Sequence, residues 1–322
     1  MKFLVTGANG DIGAAVGRVL RERYPDDQID GVDAGGRLPG LGIFDRMFPI
    51  PLASSGDYLR TLIELSEGCD LVIPTSEPEI LAIANSEPDF QLGDRALILD
   101  SSIVNTFCDK LSAYEWFVQN QVATPKTALL GDASPEDLPL LLKPRRGCGS
   151  RGIQVVENAL HLEQQINENR GGDDFLAQEY LTEADEEYTC ALFKFGGELR
   201  HIAMRRQLQG GFTAQAEVVS SELIDHFLVM IGSRIDFEGC LNVQFRMKKG
   251  VPVVFEINPR ISSTVMMRHK IGFEDLVWWI ESRMRQSVPE FRQPDAGTKI
   301  FRLSDEVAFD PNGEPVESVL SQ

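Results

Sequence analysis

A carboxylate and a carboxamide lie two residues apart near the end of an apolar run, in the segment VVFEINPR at Val253–Arg260. Alternate residues of a β-strand share one face of the sheet. Glu256 and Asn258 therefore point the same way, while the apolar residues beside them point into a core. This pattern predicts two oxygen-bearing side chains that are directed away from the core.

The preceding run, Cys240–Met247, alternates polar and apolar residues in the same way. We expect the two runs to form a β-hairpin around a loop at Lys248–Gly250. An odd-numbered loop places Gln244 across from Glu256, so that Gln244, Glu256 and Asn258 converge. Such oxygen donors suit Mg²⁺ (or Mn²⁺), which completes its coordination shell with water and substrate phosphates. A solvated polar face of a two-stranded ribbon explains the same residues without a metal.

A glycine-rich loop with a lysine at its base occurs about a hundred residues upstream. Lys143 follows three leucines and precedes PRRGCGSRG, which contains Gly147, Gly149 and Gly152. Glycines let backbone amides approach an anion, and the lysine adds a positive charge. The Walker spacing is absent, and a strand follows the glycines where a helix would start. An ordinary glycine-rich hairpin explains the loop by itself, but a metal patch downstream favours a lid over nucleotide phosphates.

Composition excludes several classes of protein. The 322 residues carry a net charge of -18, which argues against nucleic acid or an anionic membrane as a general partner. No apolar run approaches the roughly 20 residues that a membrane span needs, and no signal peptide is visible. The five cysteines are scattered without metal-ligand spacing, as expected of reduced thiols. These features predict a cytoplasmic protein.

Alternating strands and helices dominate the first hundred residues and predict a small parallel sheet covered by helices on both faces. The predicted elements of this part are strands at Lys2–Thr6, Ile29–Asp33, Asp70–Pro74 and Ala96–Asp100, and helices at Asp11–Arg23, Tyr58–Ser66 and Glu77–Asn85. A linking helix is expected at Asn105–Asn120. Tyr188–Val219 should be antiparallel, with turns at the two Gly-Gly pairs Gly196-Gly197 and Gly210-Gly211.

The N-terminal loop TGANGDIG, Thr6–Gly13, matches the spacing of a dinucleotide-binding fingerprint, with Asp33 twenty residues later. This match suggests an NAD-dependent epimerase or dehydrogenase. That class requires a tyrosine followed by a lysine four residues later, and none of the five tyrosines has one. The glycines also have a structural explanation, since they permit a tight turn and close packing of strand and helix.

Taken together, Lys143 with its glycine loop, QEYL at Gln178–Leu181, NVQF around Gln244, and FEINPR resemble the ATP-grasp superfamily. The similarity is greatest to the carbamoyl-phosphate-synthase-large-subunit-like branch and extends from about Phe107 to Met284. It implies a mixed α/β and α+β fold: an N-terminal doubly wound parallel α/β domain, then two α+β subdomains that clasp ATP. The implied boundaries are 1–104 for a Rossmann-like domain, 105–181 for the small subdomain with its lid, and 182–322 for the large subdomain.

The resemblance also implies roles for individual residues. ATP would be bound by Lys110, Lys143, Gly147, Gly149, Ser150, Gly152, Gln178, Glu179, Tyr180, Leu181 and Glu187. The backbone of Gln178–Leu181 would pair with the adenine edge, and Glu187 would contact the ribose. Magnesium would be held by Gln244, Glu256 and Asn258. Lys143, Glu256 and Arg260 would act in catalysis, with Arg260 stabilising charge on the transferred phosphoryl group.

The activity implied by the resemblance is that of an ATP- and magnesium-dependent carboxylate-amine ligase. A carboxylate would attack the γ-phosphate, and an amine would open the resulting acyl phosphate, with ADP and phosphate released. The expected partners are ATP, a small carboxylate and an amine acceptor, and a homodimer is compatible with them. Three alternatives stay open: carboxyphosphate chemistry as in carbamoyl phosphate synthesis, the NAD-dependent class, and a non-catalytic ATP-binding module. The chain has room for one ATP-grasp half only, which disfavours carbamoyl phosphate synthesis.

Overall fold

The structure of the protein is a computed structural model, which describes residues 1–147, 152–169, 172–182, 186–303, 309–310 and 312. The strands are β1 (Lys2–Thr6), β2 (Gln28–Asp33), β3 (Arg46–Pro49), β4 (Leu71–Ile73), β5 (Thr127–Leu129), β6 (Leu140–Pro144), β7 (Gln154–Val156), β8 (Phe175–Glu179), β9 (Glu187–Phe195), β10 (Glu198–Gln209), β11 (Phe212–Val219), β12 (Gly239–Lys248), β13 (Val251–Asn258) and β14 (Lys299–Phe301). The α-helices are α1 (Asp11–Arg23), α2 (Tyr58–Leu65), α3 (Glu77–Ala84), α4 (Ser101–Phe107), α5 (Lys110–Gln119), α6 (Ala159–Glu168), α7 (Glu222–Arg234), α8 (Val265–His269) and α9 (Asp275–Arg285).

The chain packs into two compact units. The first unit contains residues 1–101, 260–294 and 300–322, and the second contains residues 102–259 and 295–299. The fold class is the predicted one, with a parallel α/β unit at the N-terminus and antiparallel α+β sheets after it. The three-part division at residues 104 and 181 stays a prediction.

The first unit is built around a four-stranded sheet in the order β3-β2-β1-β4. The pairings of β1 with β2, β1 with β4, and β2 with β3 are all parallel. Buried apolar side chains fill the layer between the sheet and its helices, among them Leu4, Val32, Leu62, Val72 and Ile83. The alternation of strand and helix in the sequence therefore identified the architecture of this unit correctly.

One predicted strand of the first unit was wrong, and one observed strand was not predicted. The predicted strand Ala96–Asp100 forms one isolated bridge, between Val72 and Ala96. Its partner β4 has three residues, and all three pair with β1 on the other side. Strand β3 was missed because it is a four-residue edge strand that ends in a proline and lacks a clear alternation.

The fingerprint loop after β1 is used for internal packing. Both carboxylate oxygens of Asp33 accept backbone hydrogen bonds, from the amide of Asn9 at 3.0 Å and from that of Gly35 at 2.7 Å. A Cβ atom at Gly13 would lie 2.2 Å from the carbonyl oxygen of Gly7. Asp11, in the first turn of α1, pairs with Arg302. The end of the helix that would face a pyrophosphate thus already carries a carboxylate of the chain itself.

The second unit contains two sheets. The smaller sheet has the order β5-β8-β6-β7, and all of its pairings are antiparallel. The larger sheet places β13, β12, β9, β10 and β11 side by side, and Thr298 pairs with Val218 at the open edge of β11. The turns at Gly196-Gly197 and Gly210-Gly211 connect β9 to β10 and β10 to β11, as predicted, with positive φ at all four glycines.

The β12–β13 hairpin reaches the predicted register by a different route. Its loop is Lys249-Gly250, an even loop with φ of 51° and 79°, which would place Phe255 opposite Gln244. A β-bulge at Phe255 inserts one extra residue into β13, so that Gln244 pairs with Glu256 and Asn242 with Asn258. The expected convergence of oxygen-bearing side chains on one face is confirmed, and the bulge is its cause.

The linking segment forms two helices where one was predicted. α4 ends at Phe107 and α5 begins at Lys110. Asp109 caps α5, since one of its carboxylate oxygens accepts from the amides of Leu111 and Ser112. The longest helices, α1 and α7, have 13 residues each. No helix in the described part of the chain combines the length and apolar composition that crossing a membrane requires.

Candidate nucleotide and metal site

Lys143 lies on the face of the small sheet that also carries Gln178, and its side chain is almost completely buried. Its Nζ donates to Oε1 of Gln178 at 3.0 Å, and Nε2 of Gln178 donates to the hydroxyl of Thr127 at 2.8 Å. That hydroxyl in turn donates to the carbonyl oxygen of Pro125 at 2.9 Å. The chain of hydrogen bonds fixes the Gln178 amide with its oxygen towards the lysine, so the ammonium is held in one position.

Burial lowers the pKa of the Lys143 ammonium to about 8, although the nearby Glu256 carboxylate opposes the decrease and Lys110 adds to it. A buried ammonium without a carboxylate in contact is uncommon, because its charge has lost the solvation of water. An anionic ligand would restore the missing stabilisation. Lys143 therefore has the properties expected of a lysine that binds phosphate.

Glu256 presents an open carboxylate on the larger sheet. Within the described part of the chain, this carboxylate makes no hydrogen bond and no ion pair. Asn258, on the same face and two residues later, is buried. These two side chains suit one oxygen-coordinated divalent ion that also takes water and phosphate oxygens. No group of three or more His, Cys, Asp or Glu side chains among the described residues could hold a metal ion.

Gln244 faces the same patch, but its oxygen already has a cationic partner. Oε1 of Gln244 accepts a hydrogen bond of 2.7 Å from Nη2 of Arg206 on β10. A guanidinium in this position opposes the binding of a metal cation to the same oxygen. The convergence of Gln244 with Glu256 is confirmed, whereas its role as a metal ligand stays a prediction.

Glu187, the predicted ribose contact, forms the centre of an ion-pair cluster. Its Oε1 accepts from Arg206 Nε at 2.8 Å, and its Oε2 accepts from Arg246 Nη2 at 2.6 Å. The side chains of Glu187 and Arg206 are each 11% exposed. The sequence did not reveal this cluster, because its members lie on three different strands and are 19 and 59 residues apart along the chain.

The segment predicted to pair with adenine follows β8. The amides of Glu179 and Tyr180 donate to the carbonyl oxygens of Lys126 and Pro139, at 2.8 and 3.3 Å. The Glu179 carboxylate pairs with Lys248. Among the described residues the amide of Leu181 has no hydrogen-bond acceptor. One backbone donor of Gln178–Leu181 is thus available for the edge of a base.

The base of the glycine loop is organised by Asp109. Its buried carboxylate accepts from Arg145 Nε at 2.8 and 2.9 Å and from Arg146 Nη2 at 3.1 Å. Lys110, the next residue, donates through Nζ to the carbonyl oxygen of Gly147 at 2.6 Å. Burial opposes ionisation of Asp109, but hydrogen bonds from Arg145 and the amides of Ser112 and Leu111 outweigh it and lower the pKa.

The structure describes two of the four residues that were predicted within the glycine loop. Gly147 and Gly152 lie at its two ends, with φ of 112° and 71°. Gly149 and Ser150 lie outside the described residues. Asp109 was not singled out as functional from the sequence, although an aspartate before a helix is a known capping signal.

Replacement of Asp109 by asparagine is expected to lower the free energy of unfolding by about 2 kcal/mol, because two arginines lose a charged acceptor while one capping oxygen remains. Urea unfolding measures this change. ADP affinity should fall as well, since Asp109 fixes the loop base. Asp137→Asn is the matched control: it removes the carboxylate of an exposed ion pair with Lys126. If both variants lose the same free energy of unfolding, the contacts of Asp109 with Arg145 and Arg146 contribute no more to stability than an exposed ion pair does.

Arg260 lies in the first unit, half-buried, and its Nη1 donates to the carbonyl oxygen of Ile261. The residues after it are fixed by a buried arginine. Arg268 donates to the hydroxyls of Ser262 and Thr264 at 2.7 and 2.6 Å, and to both oxygens of Asp275 at 3.2 and 2.6 Å. The segment that follows the FEINPR motif is therefore rigidly held within its own unit.

A cavity of about 250 Å³ lies on the face of the small sheet opposite to Lys143 and Gln178. It is lined by Lys126, Ala128, Ala133, Asp137, Leu140, Ala177 and Glu179. Ala177 alternates with Gln178 along β8, so this cavity and the Lys143 ammonium are on opposite faces of the sheet. It is distinct from the candidate phosphate site.

Residues 107–264 match the model of the ATP-grasp domain family. The chain therefore carries an ATP-grasp domain. A curated relative, the uncharacterized protein MG011 of Mycoplasma genitalium, is 24% identical over 165 residues. That alignment covers 44% of this chain and 57% of the relative, so the chain matches little more than half of the relative's length.

Solved structures share the fold over most of the chain. The biotin carboxylase domain of 2-oxoglutarate carboxylase from Hydrogenobacter thermophilus, crystallised with MgADP, ADP and bicarbonate, has a TM-score of 0.71 at 16% identity and covers 92% of this chain and 73% of that one. The L-amino acid ligase of Bacillus licheniformis has a TM-score of 0.68 at 16% identity, covering 88% of this chain and 74% of that one. At these identities the likeness establishes the fold.

Proposed function

We propose that the protein is an ATP- and magnesium-dependent carboxylate-amine ligase. The observation that carries this proposal is the pairing, within an ATP-grasp domain, of a buried lysine with a lowered pKa and an open carboxylate that acts on it electrostatically. A buried ammonium and a metal-binding carboxylate are what the transfer of a phosphoryl group requires, since this reaction depends on positioning and charge stabilisation.

In this proposal Lys143 and Lys110 bind the phosphates from the side of the small sheet. Glu256 and Asn258 hold a divalent ion, which would neutralise phosphate charge when bound. The free amide of Leu181 donates to the adenine edge. Arg260, two residues after Asn258 in the sequence, is proposed on sequence grounds to stabilise the phosphoryl group during transfer. Glu187, which already has two arginine partners, contacts the ribose only if it can share one of them.

The substrate carboxylate would be activated as an acyl phosphate. One of its oxygens attacks the γ-phosphorus, and the bond from that phosphorus to the β,γ-bridging oxygen of ATP breaks, with the electron pair leaving on ADP. An amine then adds to the acyl carbon, the bond from that carbon to the phosphate oxygen breaks, and phosphate leaves while the nitrogen loses one proton to solvent. Two reactions of this kind are compatible with the solved structures named above. The amino acid ligase favours amide formation, and the carboxylase crystallised with bicarbonate favours formation of carboxyphosphate.

The decisive measurement is ADP release with MgATP across pools of amino acids, hydroxy acids, sugar acids and bicarbonate, each with and without an amine. Release that requires one acid and one amine supports the ligase. Release with bicarbonate alone indicates carboxyphosphate chemistry, and nucleotide binding without any release indicates a binding module. NADH-dependent absorbance change without ATP would restore the dehydrogenase alternative.

Replacement of Glu256 by glutamine is expected to abolish that ADP release, because the amide has no negative charge for the divalent ion. The free energy of unfolding should change by no more than about 1 kcal/mol, since the carboxylate makes no hydrogen bond among the described residues. Glu217→Gln is the matched control, because Glu217 lies in the same sheet and pairs with Arg205. Retained turnover in Glu256→Gln would contradict the metal role.

A further inference from the structure

The Arg206 side chain lies beside Gln244 and is held by two acceptor side chains. Its Nε and Nη2 donate to Oε1 of Glu187 at 2.8 and 2.5 Å, and Nη2 also donates to Oε1 of Gln244 at 2.7 Å. Its side chain is largely buried. The remaining nitrogen, Nη1, has no acceptor among the described residues. The guanidinium is therefore fixed in place and still has donors for a ligand oxygen.

The orientation of the Gln244 amide is determined by a chain of hydrogen bonds that ends at the backbone. Nδ2 of Asn242 donates to the carbonyl oxygen of Cys190 at 3.1 Å and to the hydroxyl of Thr189 at 2.9 Å. Oδ1 of Asn242 then accepts from Nε2 of Gln244 at 3.0 Å, which leaves Oε1 of Gln244 for Arg206. A flipped Gln244 would set two donors against each other at Arg206 and two acceptors at Asn242.

A metal ion on that oxygen would lie close to the guanidinium. Magnesium binds oxygen at about 2.1 Å, so the ion would be within about 5 Å of Nη2 of Arg206. Two cations at such a distance repel each other unless an anion lies between them. Arg206 cannot move away without breaking its ion pair with Glu187. The Glu256 carboxylate has no such cation in hydrogen-bond contact among the described residues.

We propose that this chain binds a single divalent ion with its nucleotide, at Glu256 and Asn258, and that the Arg206 guanidinium supplies the second positive charge to the phosphates at Gln244. The inference rests on the proposed function and replaces Gln244 as a metal ligand. Its chemistry is reasonable, since a guanidinium presents donors that match phosphate oxygens. Arg206 would then be a phosphate-binding residue that is held in place by Glu187.

The test is a count of bound Mn²⁺. The protein is saturated with the β,γ-imido analogue of ATP, which keeps the triphosphate intact, and Mn²⁺ is titrated while the electron paramagnetic resonance signal of the free ion is recorded. The wild type should bind one ion per nucleotide. Arg206→Met should bind two, because the oxygen of Gln244 becomes available. Nucleotide binding is measured in the same samples by equilibrium dialysis.

Arg246→Met is the matched control, because it also removes one guanidinium from Glu187 but leaves the contact between Arg206 and Gln244 intact. It should bind one ion, as the wild type does. Circular dichroism verifies that both variants fold, each with one arginine still paired to Glu187. Two ions in the wild type, or one in Arg206→Met, would overturn the inference while leaving the ligase proposal standing. Absence of nucleotide and Mn²⁺ binding in the folded wild type would overturn both.

Discussion

Replacing Lys143 by methionine is expected to raise the free energy of unfolding by about 2 kcal/mol at pH 7 and to weaken ADP binding on the order of 100-fold. The pKa of the buried ammonium is about 8, compared with about 10.4 in an unfolded chain. Each pKa unit corresponds to about 1.4 kcal/mol, so burial of the charge costs about 3 kcal/mol at neutral pH. Loss of the hydrogen bond to Gln178 offsets about 1 kcal/mol of the gain.

The dependence on pH gives this prediction a definite sign. Below pH 8 Lys143 is charged in both the folded and the unfolded chain, and the full cost of burial is present. Between pH 8 and about 10.4 the unfolded chain keeps a proton that the folded chain has lost, so wild-type stability gains from rising pH. The variant lacks this contribution. Its advantage over the wild type should therefore shrink across this window and reverse above it to a deficit of about 1 kcal/mol, because only the loss of the hydrogen bond to Gln178 then remains.

Urea unfolding at pH 7 and at pH 10 measures the effect, and calorimetric titration with MgADP measures the affinity. Lys248→Met is the control, because Lys248 is a partly exposed lysine of the same unit that pairs with Glu179. Its stability change should be small and nearly independent of pH, as for surface ion pairs. A stability gain in Lys143→Met that stays constant from pH 7 to pH 10 would show that desolvation of the charge is not its source.

The sequence was sufficient for the features that alternate regularly along the chain. Alternation of polar and apolar residues placed Glu256, Asn258 and Gln244 on one face, and the Gly-Gly pairs marked two hairpin turns. Helix α1 was predicted with its observed ends. These features depend on local spacing, which the order of residues contains directly.

Features that depend on distant residues could not be predicted. The Phe255 bulge results from a mismatch between an even loop and the packing of β13, and neither is visible in a local pattern. The contact of Arg206 with Gln244 spans 38 residues and depends on three strands lying side by side.

Arg268→Met is expected to lower the free energy of unfolding by about 3 to 5 kcal/mol, a large share of the stability of an ordinary domain. The side chains of Arg268 and Asp275 are each only 1% exposed. The methionine removes the guanidinium that balances the Asp275 carboxylate, and the hydroxyls of Ser262 and Thr264 lose their shared donor. Removal of one partner of a buried ion pair is among the most costly defects that a single substitution produces.

A double variant, Arg268→Met with Asp275→Leu, separates charge from packing. If uncompensated charge is the main cost, removal of both charges should restore most of the stability lost in the single variant, as it often does when buried ion pairs are replaced by apolar residues. Urea unfolding of wild type, single and double variants provides the comparison. Arg60→Met, which disrupts an exposed pair with Asp57 in the same unit, is the control.

Equal instability of the single and double variants would instead assign the loss to the hydroxyl contacts of residues 262–264. These contacts fix the backbone that directly follows Arg260, so the double variant also has a predicted functional phenotype. Its fold should recover while turnover stays reduced, because Ser262 and Thr264 still lack the guanidinium that positions them. Recovery of both stability and turnover would show that Arg268 serves the fold alone and that Arg260 needs no support from this segment.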